Sequence, residues 1–136
     1  MILIIGGAYQ GKKDYAFHLL YGAECKSNNE EEKDHLDGET CELKDIYEAK
    51  IIYHFHSLIR RALEENWDIN DLVENLIEKN PNVVIVSNEI GYGVVPMDPA
   101  DRRYREVTGR IMCRIAKNSR EVHRVVCGIG TVIKHD

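Results

Sequence analysis

No apolar run in this sequence approaches the ~20 residues that a membrane-spanning helix needs. The opening, MILIIGG, is too short for a secretory signal and lacks its basic lead, so the expected location is the cytoplasm. Cys25, Cys41, Cys113 and Cys127 form no C-x-x-C pair, which argues against a zinc site and leaves scattered reduced thiols. There is no internal repeat. With 136 residues and an ordinary apolar fraction of 43%, the chain is long enough to bury one core without disulfides, and residues 1–136 are expected to form a single domain.

The net charge of −5 is unevenly spread. Between Glu24 and Glu48 there are ten acids against three lysines, whereas Arg102 to Arg124 holds eight Lys or Arg and only two acids, Glu106 and Glu121. A basic segment can bind nucleic acid. A single arginine-rich helix in an acidic protein is better read as a solvated face or a binder of small anions, so no nucleic-acid partner is expected.

The first fifteen residues organise the chain. An apolar run, Ile2 to Ile5, breaks into Gly6-Gly7-Ala8-Tyr9-Gln10-Gly11-Lys12-Lys13 and resumes with helical spacing. The interval from Gly6 to Gly11 to Lys12 is that of a phosphate-binding loop, in which glycines let backbone N–H groups converge on an anion and a lysine adds a point charge. The helix that follows turns its partly positive end toward the same place. The alternative is a glycine-rich strand-to-helix turn with a solvated lysine. The position after the lysine usually holds Ser or Thr to meet magnesium, and here it is Lys13.

The first helix is expected over about Lys12 to Tyr21, with Tyr15, Ala16, Leu19 and Leu20 at helical spacing and Gly22 as its stop. Residues 24–45 read as a mobile acidic loop, with a short strand near Cys41 to Leu43. A helix is expected from Ile46 to about Glu65, carrying His54 and His56; residues two apart do not share a helix face, so ordinary side chains are favoured over a metal pair. Asp68 or Asn70 caps a second helix that stops at Asn80-Pro81. Val83 to Val86 reads as a buried central strand opening into Ser87-Asn88-Glu89, polar residues where α/β sheets place ligand chemistry. Asp98-Pro99 starts a long helix with Tyr104, Val107, Ile111 and Ile115 inward. Val122 to Val126 and Thr131 to Ile133 form strands joined by a turn at Cys127 to Gly130. The alternation gives a three-layer α/β sandwich around a mostly parallel sheet.

The block from Val83 to Lys134, with its N-E-I-G-Y-G-V-V-P run and the spacing from Arg105 to Gly109-Arg110, resembles the carboxyl-terminal half of the adenosylcobinamide kinase / adenosylcobinamide-phosphate guanylyltransferase family. GGAYQGKK stands where that family has its P-loop. The resemblance implies a P-loop fold with a shortened middle region, a homo-oligomer, and two reactions in cobalamin assembly: phosphorylation of the cobinamide aminopropanol hydroxyl from ATP or GTP, then GMP transfer through a guanylylated histidine. It implies that Gly6, Gly7, Ala8, Tyr9, Gln10, Gly11, Lys12 and Lys13 bind the triphosphate. It further implies that Glu89 holds magnesium or one of its waters, and that His35, in His35-Leu36-Asp37-Gly38, is the guanylyl acceptor. For Glu89 the alternative is a turn-capping acid.

Several departures weigh against guanylyl transfer. Glu39-Thr40 stands where the family tends to carry Arg-Pro, and the acids around His35 favour imidazolium, which is not nucleophilic. An exposed loop histidine is the other reading of His35. The sequence therefore supports a kinase of this family, with a non-catalytic nucleotide or corrinoid binder and an oligomeric scaffold as alternatives.

Overall fold

The computed structural model describes residues 1–8, 10–22, 34–89 and 98–136. Tyr9, residues 23–33 of the acidic region, and residues 90–97 with the glycine-bearing run after Glu89 lie outside the described residues. The strands are β1 (Ile2–Gly6), β2 (His35–Asp37), β3 (Ile51–Tyr53), β4 (Val84–Asn88), β5 (Glu121–Val126) and β6 (Ile129–His135). The helices are α1 (Lys12–Tyr21), α2 (Phe55–Glu64), α3 (Ile69–Lys79) and α4 (Pro99–Asn118).

Six strands form one sheet in the order β2-β3-β4-β1-β5-β6, parallel except for the last pair. Strand alternation divides the core into two layers. Ile2, Ile4, Val84, Val86 and Val125 pack with Ala16 on the α1 face. Leu3, Ile52, Ile85 and Val122 pack with the inward stripes of α2, α3 and α4 on the other. This is the P-loop three-layer sandwich around a mostly parallel sheet. Among the described residues no helix is long and apolar enough to cross a membrane.

The helix boundaries follow local chemistry. Asp68 accepts the Asp71 N–H at the start of α3, and Asp98 accepts the Ala100 N–H ahead of Pro99 at the start of α4. Tyr104, Thr108, Ile111 and Ile115 form the buried stripe of α4. Lys134 of β6 donates to the carbonyls of Ala116, Lys117 and Ser119, closing the end of α4 with the cation it favours. The turn between β5 and β6 is tighter than expected: only Cys127 and Gly128 occupy it, both with positive φ, and pairing resumes at Ile129.

Four expectations need correction. Residues Ile51–Tyr53, assigned to a helix from Ile46, form β3, because all three side chains are buried within the sheet. His35–Asp37, assigned to the acidic loop, form the edge strand β2 alongside β3. The strand near Cys41 to Leu43 is absent; Leu43–Asp45 make a 3₁₀ turn. In α1 the buried side is Lys12, Ala16 and Phe17, while Leu19 and Leu20 are exposed, because among the described residues no further helix meets its outer side.

Candidate functional site

A cleft of about 600 Å³ opens at the carboxyl ends of β1, β2, β3 and β4. That end of an open α/β sheet is where loops can converge without breaking strand pairing. β1 contributes the glycine loop. β4 contributes Val86, Ser87 and Asn88; β3 is followed by His54 and His56, and β2 brings His35 and Asp37.

The loop is held from outside the motif. Gly11 starts α1 at φ 85°, a left-handed conformation that favours glycine. The Gln10 side-chain oxygen accepts the Cys127 N–H at 2.7 Å, and the Gln10 carbonyl accepts the Gly128 N–H at 2.8 Å. The β5–β6 turn thus pins the loop from the side opposite the cleft-lining strands. Beneath it, Tyr15 Oη lies 2.7 Å from Nδ1 of His123, a buried histidine whose Nε2 meets Glu121. Gly130 leaves room for the Tyr15 ring, since a Cβ there would stand 2.1 Å from it.

Lys12 is 8% exposed, and its ammonium donates to the Gly7 carbonyl at 2.6 Å. Burial lowers its pKa, with nearby Glu89 acting against that shift. Lys13 is exposed and places its ammonium 5.1 Å from the centre of the Tyr53 ring. Glu89 continues the end of β4, its N–H bonded to the Gly6 carbonyl; its carboxylate accepts from Arg124 through both oxygens, at 2.8 and 3.2 Å. A carboxylate is a suitable magnesium ligand by chemistry, but the Arg124 guanidinium already balances the charge of this one, and Lys13 offers no oxygen.

His35 does not sit on an exposed loop. It opens β2, half-buried, with Nε2 2.7 Å from Tyr21 Oη and its ring edge-on to Phe17 and Tyr21. Asp37 follows on the same short strand and meets His54 Nδ1 at 3.0 Å while accepting the Glu39 N–H. The Glu39 carboxylate lies beside this pair, so that one ligand atom from each of Asp37, Glu39 and His54 falls within 4.8 Å of the others. Arg61 of α2 fixes the chain beyond β2 by donating to the carbonyls of Gly38 and Cys41, each at 2.9 Å.

His54 and His56 were read as two ordinary helix side chains, yet both line the cleft. Recognising β3 would have found them, since polar residues directly after a buried strand fall at the ligand-bearing edge. His56 accepts the Asn88 N–H on Nδ1 at 3.1 Å. Burial first, then the charges of His54, Lys12 and Arg60, push its pKa down to about 4, against a smaller opposing effect of Asp37. A histidine kept neutral in the fold binds fewer protons there than in the unfolded chain between pH ~6.5 and 4, so its contribution to stability is intact above that window and falls with pH through it. Acid unfolding followed by circular dichroism is expected to show a smaller stability loss across this window in His56→Gln than in the parent.

The sequence model of the cobinamide kinase / cobinamide phosphate guanyltransferase family matches residues 28–133. The bifunctional adenosylcobalamin biosynthesis protein CobU of Salmonella typhimurium strain LT2 is 40% identical over 81 residues, which cover 52% of this chain and 45% of that protein. The protein of the same description from Escherichia coli K12 is 37% identical over 76 residues, covering 54% of this chain and 42% of its own length. The chain thus matches less than half the length of either relative.

Proposed function

The chain belongs to the cobinamide kinase / cobinamide phosphate guanyltransferase family, and from that premise we propose that it is a nucleoside-triphosphate-binding protein of cobalamin biosynthesis that phosphorylates the aminopropanol hydroxyl of cobinamide. The observation that carries this reading is the buried side chain of Lys12, its part-buried ammonium held against the Gly7 carbonyl in a loop that lines the cleft. A solvated lysine after a structural turn has no reason to accept that desolvation. Gly6, Gly7, Ala8, Tyr9, Gln10, Gly11 and Lys12 cradle the phosphates in this proposal, with Lys13 at the cleft wall.

Phosphoryl transfer depends on positioning and charge neutralisation more than on covalent help from the protein. The lysine and the loop supply both to the phosphates. Magnesium belongs to this reading as the nucleotide's counter-ion, and Glu89 is the group that would hold it or one of its waters, in competition with the charge of Arg124. Guanylyl transfer is not part of the proposal: His35 is engaged with Tyr21 and flanked by Asp34 and Asp37. In this reading residues 1–136 act as one cytoplasmic domain within a homo-oligomer, supported by the exposed Ile129, Val132 and Ile133 of the outermost strand.

A second reading, a nucleotide or corrinoid binder without turnover, is favoured by one observation. Both Glu89 oxygens are taken by Arg124 while Lys13 replaces the magnesium-binding hydroxyl. Incubation with cobinamide, magnesium and ATP or GTP labelled in the terminal phosphate separates the two. The kinase reading predicts label on the corrinoid. Bound nucleotide with no label transferred establishes the second reading instead.

A further inference from the structure

His56 is tied to the sheet in a way that fixes which of its nitrogens carries hydrogen. The Asn88 amide can only donate, so Nδ1, which accepts it at 3.1 Å, must present a lone pair. A neutral ring in that position carries its proton on Nε2. His54 and His123 meet carboxylates, which only accept, so Nδ1 of His54 and Nε2 of His123 carry the hydrogen, and His35 meets a hydroxyl that can do either; His56 differs in meeting a partner that can only donate. Among the described residues no hydrogen bond is made to His56 Nε2, and the side chain lines the same cleft as Lys12, Ser87 and Asn88.

We propose that His56 is an uncharged hydrogen-bond donor of the cleft, presenting Nε2–H to a phosphoryl oxygen of the nucleotide bound by the glycine loop. The proposal rests on the triphosphate-binding reading above. The charged groups acting on the ring are His54, Lys12, Arg60 and Asp37, three of them favouring the neutral form. A neutral donor adds a bond to the anion without burying a second cation beside Lys12. The same geometry excludes His56 as a guanylyl acceptor: attack through Nε2 requires the proton to move to Nδ1, where it would face the Asn88 N–H.

Three measurements test this. Nitrogen NMR of the histidine rings at neutral pH is expected to show His56 protonated on Nε2 alone; a proton on Nδ1 overturns the proposal. Nucleotide affinity is expected to fall about tenfold in His56→Phe, which keeps a ring but no donor, and to stay within about threefold of the parent in His56→Gln, whose amide can both accept from Asn88 and donate to phosphate. Equal affinity in the parent and the Phe variant overturns it. The ratio of parent to Gln affinity is expected to stay constant from pH 5.5 to 8.5. A ratio that rises as pH falls would mean a cationic ligand, and would overturn the proposal even where the Phe variant fails to fold. Binding unaffected by His56→Phe defeats this inference alone; absence of any nucleotide binding by the parent defeats the functional reading together with it.

Discussion

Lys12→Met is expected to leave the free protein at least as stable as the parent and to lower its affinity for nucleoside triphosphate roughly 10- to 100-fold, the value of a hydrogen bond to a charged group. The two halves of that expectation come from one feature. Burial lowers the Lys12 pKa, so at neutral pH its charge works against folding, and that cost is relieved only as pH rises toward the ordinary lysine value of 10.5. Methionine retains the stem that packs near Gly6 and removes the charge, at the loss of one bond to the Gly7 carbonyl. A structural lysine would behave in the opposite way, with stability falling and affinity unmoved. Thermal unfolding of the free variant, paired with a binding titration, separates the two roles.

Gly6→Ala is expected to destabilise the protein by about 1–3 kcal/mol, the usual cost of overpacking, and to weaken nucleotide binding at the same time. A Cβ at Gly6 would stand 2.5 Å from the Val125 carbonyl oxygen and 3.2 Å from Lys12 Cδ. The first clash is with the backbone of the neighbouring strand β5, so it is relieved only by parting β1 from its partner. The second pushes on Lys12, the side chain proposed to meet the phosphates. Gly7→Ala is the matched control, since among the described residues its Cβ would meet only Gln10 Cγ at 3.5 Å, an ordinary contact. For a chain of this size the expected difference in midpoint is roughly 3–15 °C, with Gly7→Ala close to the parent. Equal loss in the two variants would mean that strand spacing is not what requires Gly6.

Much of the architecture was legible because its signals are local. β1, the glycine loop and α1 appear as a switch from an apolar run to helical spacing; Asp68 and Asp98 announce α3 and α4; β4 and β5 are β-branched runs. The middle strands were not legible. β3 is three residues long and fully buried, and its isoleucines continue backward the helical stripe of Phe55, Leu58 and Ile59, so one helix fits the pattern as well as strand plus helix. β2 has a single buried residue, Leu36, in an acidic setting. Losing β3 carried a functional cost, because it placed His54 and His56 in mid-helix when His54 caps α2 and His56 lies in its first turn, next to the end of β3.

The candidate site divides in the same way. The loop glycines and Lys12 lie within seven residues of one another, so their spacing can be read directly from the sequence. Gln10 meeting Cys127, and Arg124 gripping Glu89, join residues far apart in the chain and have no local signature. Glu89 was identified as an acid at a strand end, but its arginine partner, which decides whether it is available to a cation, follows only from placing β5 beside β1.

Calorimetric titration of the purified protein with ATP and with GTP, in the presence and absence of magnesium, tests the central claim most directly. The account predicts saturable binding of at least one nucleotide at one site per chain, weakened by Lys12→Met. No binding of either nucleotide under any of these conditions would contradict it, and would make the loop of Gly6 to Lys12 a structural turn.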